Sequence, residues 1–167
     1  MGRPGRPRRT SRTEHRPLTI RPHPAAPTPP PAFLAFSTAW AAAWQERLNA
    51  SDAYREAAAL WEGDLVLELT EDDGAISGAV YLDLWRGHCR AAREASPEDR
   101  GGARYLLRGE RRAWQRVLAG RSSPIAALLT GQLRLVRGSL SDLMPYAGAA
   151  QQLLATAATF ETIFPDS

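Results

Sequence analysis

Few side chains in this sequence stand where they could do chemistry. His88 and Cys89 come nearest, because an imidazole beside a thiol can take its proton and free a nucleophile. The segment carrying them reads as a strand, however, and neighbours on a strand point to opposite faces, so the two side chains do not form a pair. Cys89 reads instead as a small buried apolar residue. As the only cysteine it excludes an internal disulfide and a multi-thiolate metal site. No spacing of His, Cys, Asp or Glu fits a metal. Glu71, Asp72 and Asp73 precede Gly74 in a turn and read as solvated. Gly101-Gly102 is loop punctuation, with no phosphate-cradling glycine motif around it, and Gly-x-Ser-x-Gly is absent. The sequence thus points to no catalytic residues, no metal and no cofactor. Its distinctive chemistry is apolar.

The elements follow from periodicity. Phe33, Phe36, Trp40, Ala43, Trp44 and Leu48 share one face of a helix over residues 33 to 48. Ser51 caps a second helix with the face Tyr54, Ala57, Ala58 and Trp61. Glu62 to Thr70 reads as a strand in which Leu65, Leu67 and Leu69 alternate with Val66 and Glu68. An Asp-Gly turn leads to a second strand, Ala79 to Trp85. Arg86-Gly87 then turns the chain into a third, His88 to Arg93. Residues 94 to 102, rich in Pro, Gly and charge, read as a loop, and Ala103 to Arg108 as a fourth strand.

Punctuation is densest from Trp114 to Met144. Trp114, Val117 and Leu118 mark a helix that Gly120 stops. Ser123 N-caps the next helix, with Pro124 at its first position and Ile125, Leu128 and Leu129 on its apolar side. After Gly131 a fifth strand carries Leu133 and Leu135 between Gln132 and Arg134. Gly138 ends it, and Ser139 with Asp142 has the spacing of a capping box. Pro145 does not fit deep inside a helix, so the C-terminal helix starts beside it. Its stripe is Tyr146, Ala149, Ala150, Leu153, Leu154, Ala157 and Ala158. The strands read as a meander, with helices elsewhere. That pattern is α+β: a five-stranded sheet with helices covering one face.

The same stretch resembles the sterol carrier protein type 2 family: a Trp on a short helix, Leu-x-Gly, a Pro-led apolar helix, a Gly-x-Leu-x-Leu-x-x-Gly strand and an apolar C-terminal helix. Upstream, Trp61-Glu62-Gly63-Asp64 and the run Tyr81 to Arg90 resemble its small stand-alone bacterial members. The likeness extends over roughly residues 33 to 160. Ser123 stands where the family usually has Asp before the Pro, and Gln132, Arg134 and Arg137 where it favours Lys.

The resemblance implies helices and sheet that enclose a hydrophobic tunnel. Its floor would come from Leu65, Leu67, Leu69, Leu82, Leu84, Tyr105, Leu107, Leu133 and Leu135, and its roof from Ile125, Leu128, Leu143 and Leu153. Trp114 joins the ligand-contact candidates. Trp40, Trp44, Trp61, Trp85 and Trp114 read first as core residues and second as ligand contacts. The implied activity is non-catalytic binding and transfer of a hydrophobic small molecule: a sterol-like lipid, a fatty acid or a fatty acyl-CoA. The competing reading is a protein-interaction or accessory module with a filled core, built from the same residues.

Charge is unevenly placed. Residues 1 to 31 hold seven Arg, one acid and nine Pro, a net charge of +6, whereas residues 32 to 167 carry −3. Such a tail has too little apolar surface to offset chain entropy and is expected to be disordered. It reads as a solvated tail rather than a specific nucleic-acid tether, and transient contact with a membrane surface is compatible with its charge. Residues 32 to 162 form the expected domain and 163 to 167 a short C-terminal tail. No apolar run approaches ~18 residues, so no membrane span is expected, and the single cysteine suits the cytoplasm. Oligomeric state has no signature in the sequence. Deleting residues 1 to 31 is expected to move the melting temperature by no more than a few degrees. A ten-degree drop in a thermal melt would show the tail packed on the domain.

Overall fold

The computed structural model describes residues 2–5 and 31–165. The Arg- and Pro-rich tail otherwise lies outside the described residues. Two long antiparallel turns start the main sheet. Strand β2 (Glu62–Thr70) pairs antiparallel with β3 (Ile76–Trp85), and β3 with β4 (His88–Glu94). At the second hairpin Arg86 and Gly87 both adopt positive φ (47° and 84°), the primed-turn geometry that matches strand twist. Gly87 is required there twice over, since a Cβ would stand 2.6 Å from the Arg55 carbonyl oxygen.

The chain does not continue as a meander. Strand β5 (Tyr105–Glu110) returns to the other side of β2 and runs parallel to it, with Leu65 opposite Tyr105 and Leu67 opposite Leu107. Strand β6 (Leu133–Arg137) closes the order β4-β3-β2-β5-β6 as an antiparallel edge. The architecture is α+β with a five-stranded sheet, although one of its pairings is parallel.

The return to β5 contains a helix where a loop is expected. Helix α3 (Pro97–Gly102) starts at a full capping box: the Ser96 hydroxyl accepts from the Asp99 amide while the Asp99 carboxylate accepts from the Ser96 amide. The charge- and glycine-rich composition of 94 to 102 hides that local signal. Ser139, by contrast, makes no side-chain cap to the helix it precedes, α6 (Leu140–Leu143), and its hydroxyl pairs with that of Ser141.

Most helices lie on one face of the sheet: α1 (Thr38–Ala50), α2 (Asp52–Ala57), α4 (Arg111–Leu118), α5 (Pro124–Leu129), α6 and α7 (Ala147–Ala157). Helix α3 is the exception. It covers a small patch of Val66, Ala103 and Leu106 on the opposite face. The main helical cover thus lies on one face, as the sequence leads one to expect, and α3 is a small addition on the other. Glu68 accounts for it: its side chain points to that second face and is only 1% exposed. Arg100 from α3 and Arg108 from β5 neutralise it at 2.8 and 2.7 Å. Arg137 fastens the end of α3 by donating to the carbonyls of Ala103 and Arg100.

The first helix begins later than its periodicity suggests. Ala32–Leu34 forms strand β1, parallel to β7 (Glu161–Ile163), and Phe36 turns the chain at φ 63° before Ser37 caps α1. Phe36 then stacks on Trp40 at 5.1 Å between centroids. Because Ile163 is in β7 and Phe164 packs on the core, the fold runs past the expected boundary at 162. Pro145 sits in a 3-10 turn, Met144–Tyr146, just ahead of α7.

Buried tryptophans satisfy their indole N–H groups, as they must. Trp40 donates to Thr162 Oγ1, Trp44 to Leu153 O and Thr156 Oγ1, and Trp114 to Glu68 O. Trp85 is not core. It is 38% exposed, with the Arg90 guanidinium 4.8 Å over its ring.

Replacing Glu68 by Ala would leave two guanidinium groups without their counter-charge. The partial exposure of both arginines moderates the cost, so a loss of about 2–3 kcal/mol is expected in urea unfolding, less than for a fully buried pair. A change within a few tenths would show that the cluster contributes nothing.

Candidate functional site

Between the sheet and its helical cover lies an apolar cavity. Its floor is Leu65 and Leu67 of β2, Leu84 of β3, Leu107 of β5 and Leu133 of β6. Inward residues of neighbouring strands line up because side chains alternate with period two. The cover comprises Pro124, Ile125 and Leu128 of α5, Leu143 of α6, and Ala149, Ala150, Leu153 and Leu154 of α7. Tyr54, Trp61, Trp114 and Tyr146 complete the wall. The cavity volume is ≈ 60 Å³.

Local sequence features place these side chains. Ser51 accepts from the Tyr54 amide and Ser123 from the Ala126 amide, so both short helices start where a hydroxyl caps them. Gly109 lets two wall residues close in, for a Cβ there would collide with Leu133 and stand 3.2 Å from Trp114 Nε1. Ala149 and Ala150 keep α7 narrow where it faces the cavity.

Of the ligand-contact candidates, Leu67, Leu84, Leu107, Trp114, Ile125, Leu128, Leu143 and Leu153 line this cavity. Leu69, Leu82 and Leu135 do not. Leu69 and Leu82 are fully buried in the part of the sheet covered by Phe36 and α1, where core side chains fill the space. Leu135 is only half-buried, on the edge strand. Tyr105 also stays out, because its ring packs against Trp61 at 5.2 Å. Tyr54, Tyr146, Ala149, Ala150 and Leu154 belong to the wall. Their helical stripes were legible in sequence, but not which part of each stripe meets open space.

The wall holds no charge. Trp61 spends its N–H on Gly63 O and Trp114 on Glu68 O. A larger polar cleft of ≈ 450 Å³ lies behind Gly109, lined by Arg108, Arg112, Arg116 and Arg134 together with Glu71, Asp72 and Glu110. The opposed charges there balance closely. His88 is exposed and Cys89 buried, on opposite faces as strand geometry requires. Among the described residues no group of three or more His, Cys, Asp and Glu is placed to hold a metal, and no helix is long and apolar enough to cross a membrane.

The cavity is uncharged and is roofed by a Pro-led helix and a small-residue helix, and residues 42–151 match the SCP-2 sterol transfer family. The chain belongs to that family. It is 43% identical to a crystal structure of sterol carrier protein 2, covering 75% of this chain and 98% of that one with a TM-score of 0.68. It is 38% identical to the solution structure of a conserved hypothetical protein, possibly a sterol carrier protein, from Thermus thermophilus. That match covers 84% of this chain and 99% of the other, with a TM-score of 0.69. The apo form of sterol carrier protein 2 from Yarrowia lipolytica shares the fold at 20% identity and a TM-score of 0.50, covering 70% of this chain and 88% of that one. No curated protein matches the chain. Within the SCP-2 family, binding and transfer of hydrophobic lipid is the general trait.

Burial pushes the Cys89 thiol up from 9.0 to about 12, with the nearby Asp83 carboxylate adding to the effect. The native state therefore keeps the thiol protonated, while the unfolded chain releases the proton near 9.0. The contribution of Cys89 to stability is whole below that value and is lost as pH rises toward about 12. Iodoacetamide at pH near 8 is expected to leave native Cys89 unmodified and to label it in denaturant, read by intact mass. Rapid native labelling would contradict a sealed thiol.

Proposed function

We propose that this chain carries a hydrophobic small molecule, such as an acyl chain or sterol-like lipid, by reversible burial without bond chemistry. The single observation behind the reading is a wholly uncharged cavity whose floor is the sheet and whose roof is short helices. It favours a carrier over an accessory module with a filled core. The ligand contacts we assign are Leu67, Leu84, Leu107, Trp114, Ile125, Leu128, Leu143 and Leu153.

At ≈ 60 Å³ the cavity is too small for a long chain as it stands. Loading therefore requires part of the roof to move. Helices α5 and α6, of six and four residues, are the smallest units of that roof. Short helices have few internal hydrogen bonds and open at low free-energy cost. Leu129 on α5 is already 65% exposed. Each sheltered CH₂ contributes ~0.8 kcal/mol, so a long acyl chain supplies roughly 10 kcal/mol gross. Association and ordering take back much of that, leaving micromolar binding with low selectivity as the expected range. The reducing cytoplasm suits the sealed thiol of Cys89, and the work of the protein is transport with no chemical step.

Leu128→Trp separates a hollow domain from a filled one. In the cavity the indole occupies ligand space, so uptake of a fluorescent fatty acid should fall severalfold while the melting temperature changes little. In a filled core the same change overpacks and costs roughly 1–3 kcal/mol. A wild type that takes up no lipid, together with a variant that unfolds readily, would sink the carrier reading.

A further inference from the structure

The polar cleft behind Gly109 has no part in the carrier reading, yet it gathers charges that do not neutralise one another. Its acids are Glu71 and Asp72 of the β2–β3 turn and Glu110 at the end of β5. Its arginines include Arg112 and Arg116, which stand four residues apart and so share a face of α4. Arg108 and Arg134 are register partners on β5 and β6. Arg108 is committed to the buried Glu68 at 2.7 Å. The others are free: Arg112, Arg116, Arg134, Asp72 and Glu110 make no ion pair and no side-chain hydrogen bond among the described residues. Glu71 has only Arg111, which does not line the cleft, at 3.8 Å. Opposite charges thus line one concavity of ≈ 450 Å³ without closing on each other, a volume within the range of about 300–1,000 Å³ that small-molecule sites occupy.

An anion held by the free guanidiniums would also meet the carboxylates, and a simple cation would meet the reverse. An occupant that carries both signs suits both. Three guanidiniums offer more forked donors than one carboxylate accepts, whereas a phosphate accepts through oxygens on several sides. The cleft also adjoins the cavity. Gly109 lines the cleft, and its missing Cβ lets Leu133 and Trp114, both residues of the cavity wall, lie against it. Two segments border both spaces. Helix α4 gives Arg112 and Arg116 to the cleft and Trp114 to the cavity, while the chain from α5 into β6 gives Gly131 and Gln132 to one and Leu128 and Leu133 to the other.

We propose that this cleft is a head-group site for a zwitterionic phosphate ester: the phosphate sits among Arg112, Arg116 and Arg134, and the ammonium among Glu71, Asp72 and Glu110. An apolar chain on the same ester lies in the neighbouring cavity once α5 has moved. The placing of that chain rests on the carrier reading above; the head-group site does not.

Calorimetric titration of the full chain tests this with glycerophosphoethanolamine as the free head group, lysophosphatidylethanolamine below its micellar concentration as the lipid, and glycerol 3-phosphate as the anion alone. The wild type is expected to bind the lipid more tightly than the free head group, and the free head group more tightly than glycerol 3-phosphate. Arg112→Gln with Arg116→Gln, both at exposed positions, is expected to weaken lipid and free head group about ten-fold, the loss of charge-assisted hydrogen bonds, and to leave uptake of the neutral probe N-phenyl-1-naphthylamine unchanged. Asp72→Asn with Glu110→Gln is expected to weaken the zwitterions and not glycerol 3-phosphate. Glycerol 3-phosphate binding as tightly as the zwitterion would reduce the cleft to a plain anion site and overturn the proposal. Lipid binding that ignores both pairs of substitutions would place the whole lipid elsewhere, overturning the head-group site and leaving the carrier reading intact. Free head group and lipid binding equally, with no uptake of the probe, would sink the carrier reading while the zwitterion site stands.

Discussion

The parallel pairing of β2 with β5 is the constraint on which the rest of this structure depends. A parallel neighbour needs a crossover, whereas an antiparallel one needs only a turn. Here the crossover must clear the two hairpin strands β3 and β4, and it does so with α3 on the far side of the sheet. The register it fixes sets Leu67 beside Leu107 and Leu65 beside Tyr105. Leu65, Leu67 and Leu107 form the middle of the cavity floor, and Tyr105 is drawn off against Trp61. A slip of one residue would turn the leucines outward and bring Glu68 into the cavity.

Glu68 joins the two faces. Its side chain is neutralised on the outer face by Arg100 and Arg108, while its backbone carbonyl accepts from the Trp114 indole on the inner one. A cavity-wall residue is thus held by the same strand position that anchors α3. Gly109 completes the arrangement, since the missing Cβ lets Trp114 and Leu133 lie against β5. The wall owes its uniform character to this: each indole that faces the cavity has its N–H satisfied by backbone, so the cavity surface is almost wholly hydrocarbon.

The division between hollow and filled follows from side-chain size. Under α1, Phe36 stacks on Trp40 and Trp40 meets Trp44 at a tilt, with centroids 5.0–5.1 Å apart, and Leu69 and Leu82 are fully buried in this part of the core. Farther along the sheet the cover is α5, α6 and α7, whose inward residues are Pro, Leu, Ile and Ala. Those side chains are too short and the helices too brief to fill the same height. One sheet face therefore carries a dense aromatic core at one end and an apolar cavity at the other.

Period-two alternation in β2 and β5, the Ser51 and Ser123 caps, the glycine turns and the apolar stripes of α4, α5 and α7 were all legible in the sequence, because each depends on contacts within a few residues. So were the opposed faces of His88 and Cys89. Three features were not. The parallel register of β2 and β5 links residues some forty apart, and no local pattern distinguishes it from a meander. Helix α3 was hidden because its capping box lies in a segment whose composition otherwise reads as loop, and because its Arg100 pairs with Glu68, a residue of a distant strand. The third is which of the inward leucines border open space. Leu67 and Leu69 have the same type, spacing and face, yet one meets the cavity and the other meets Phe36, because a void is what remains after all the elements have packed. Sequence determined which residues turn inward; only tertiary packing decided which of them were left uncovered.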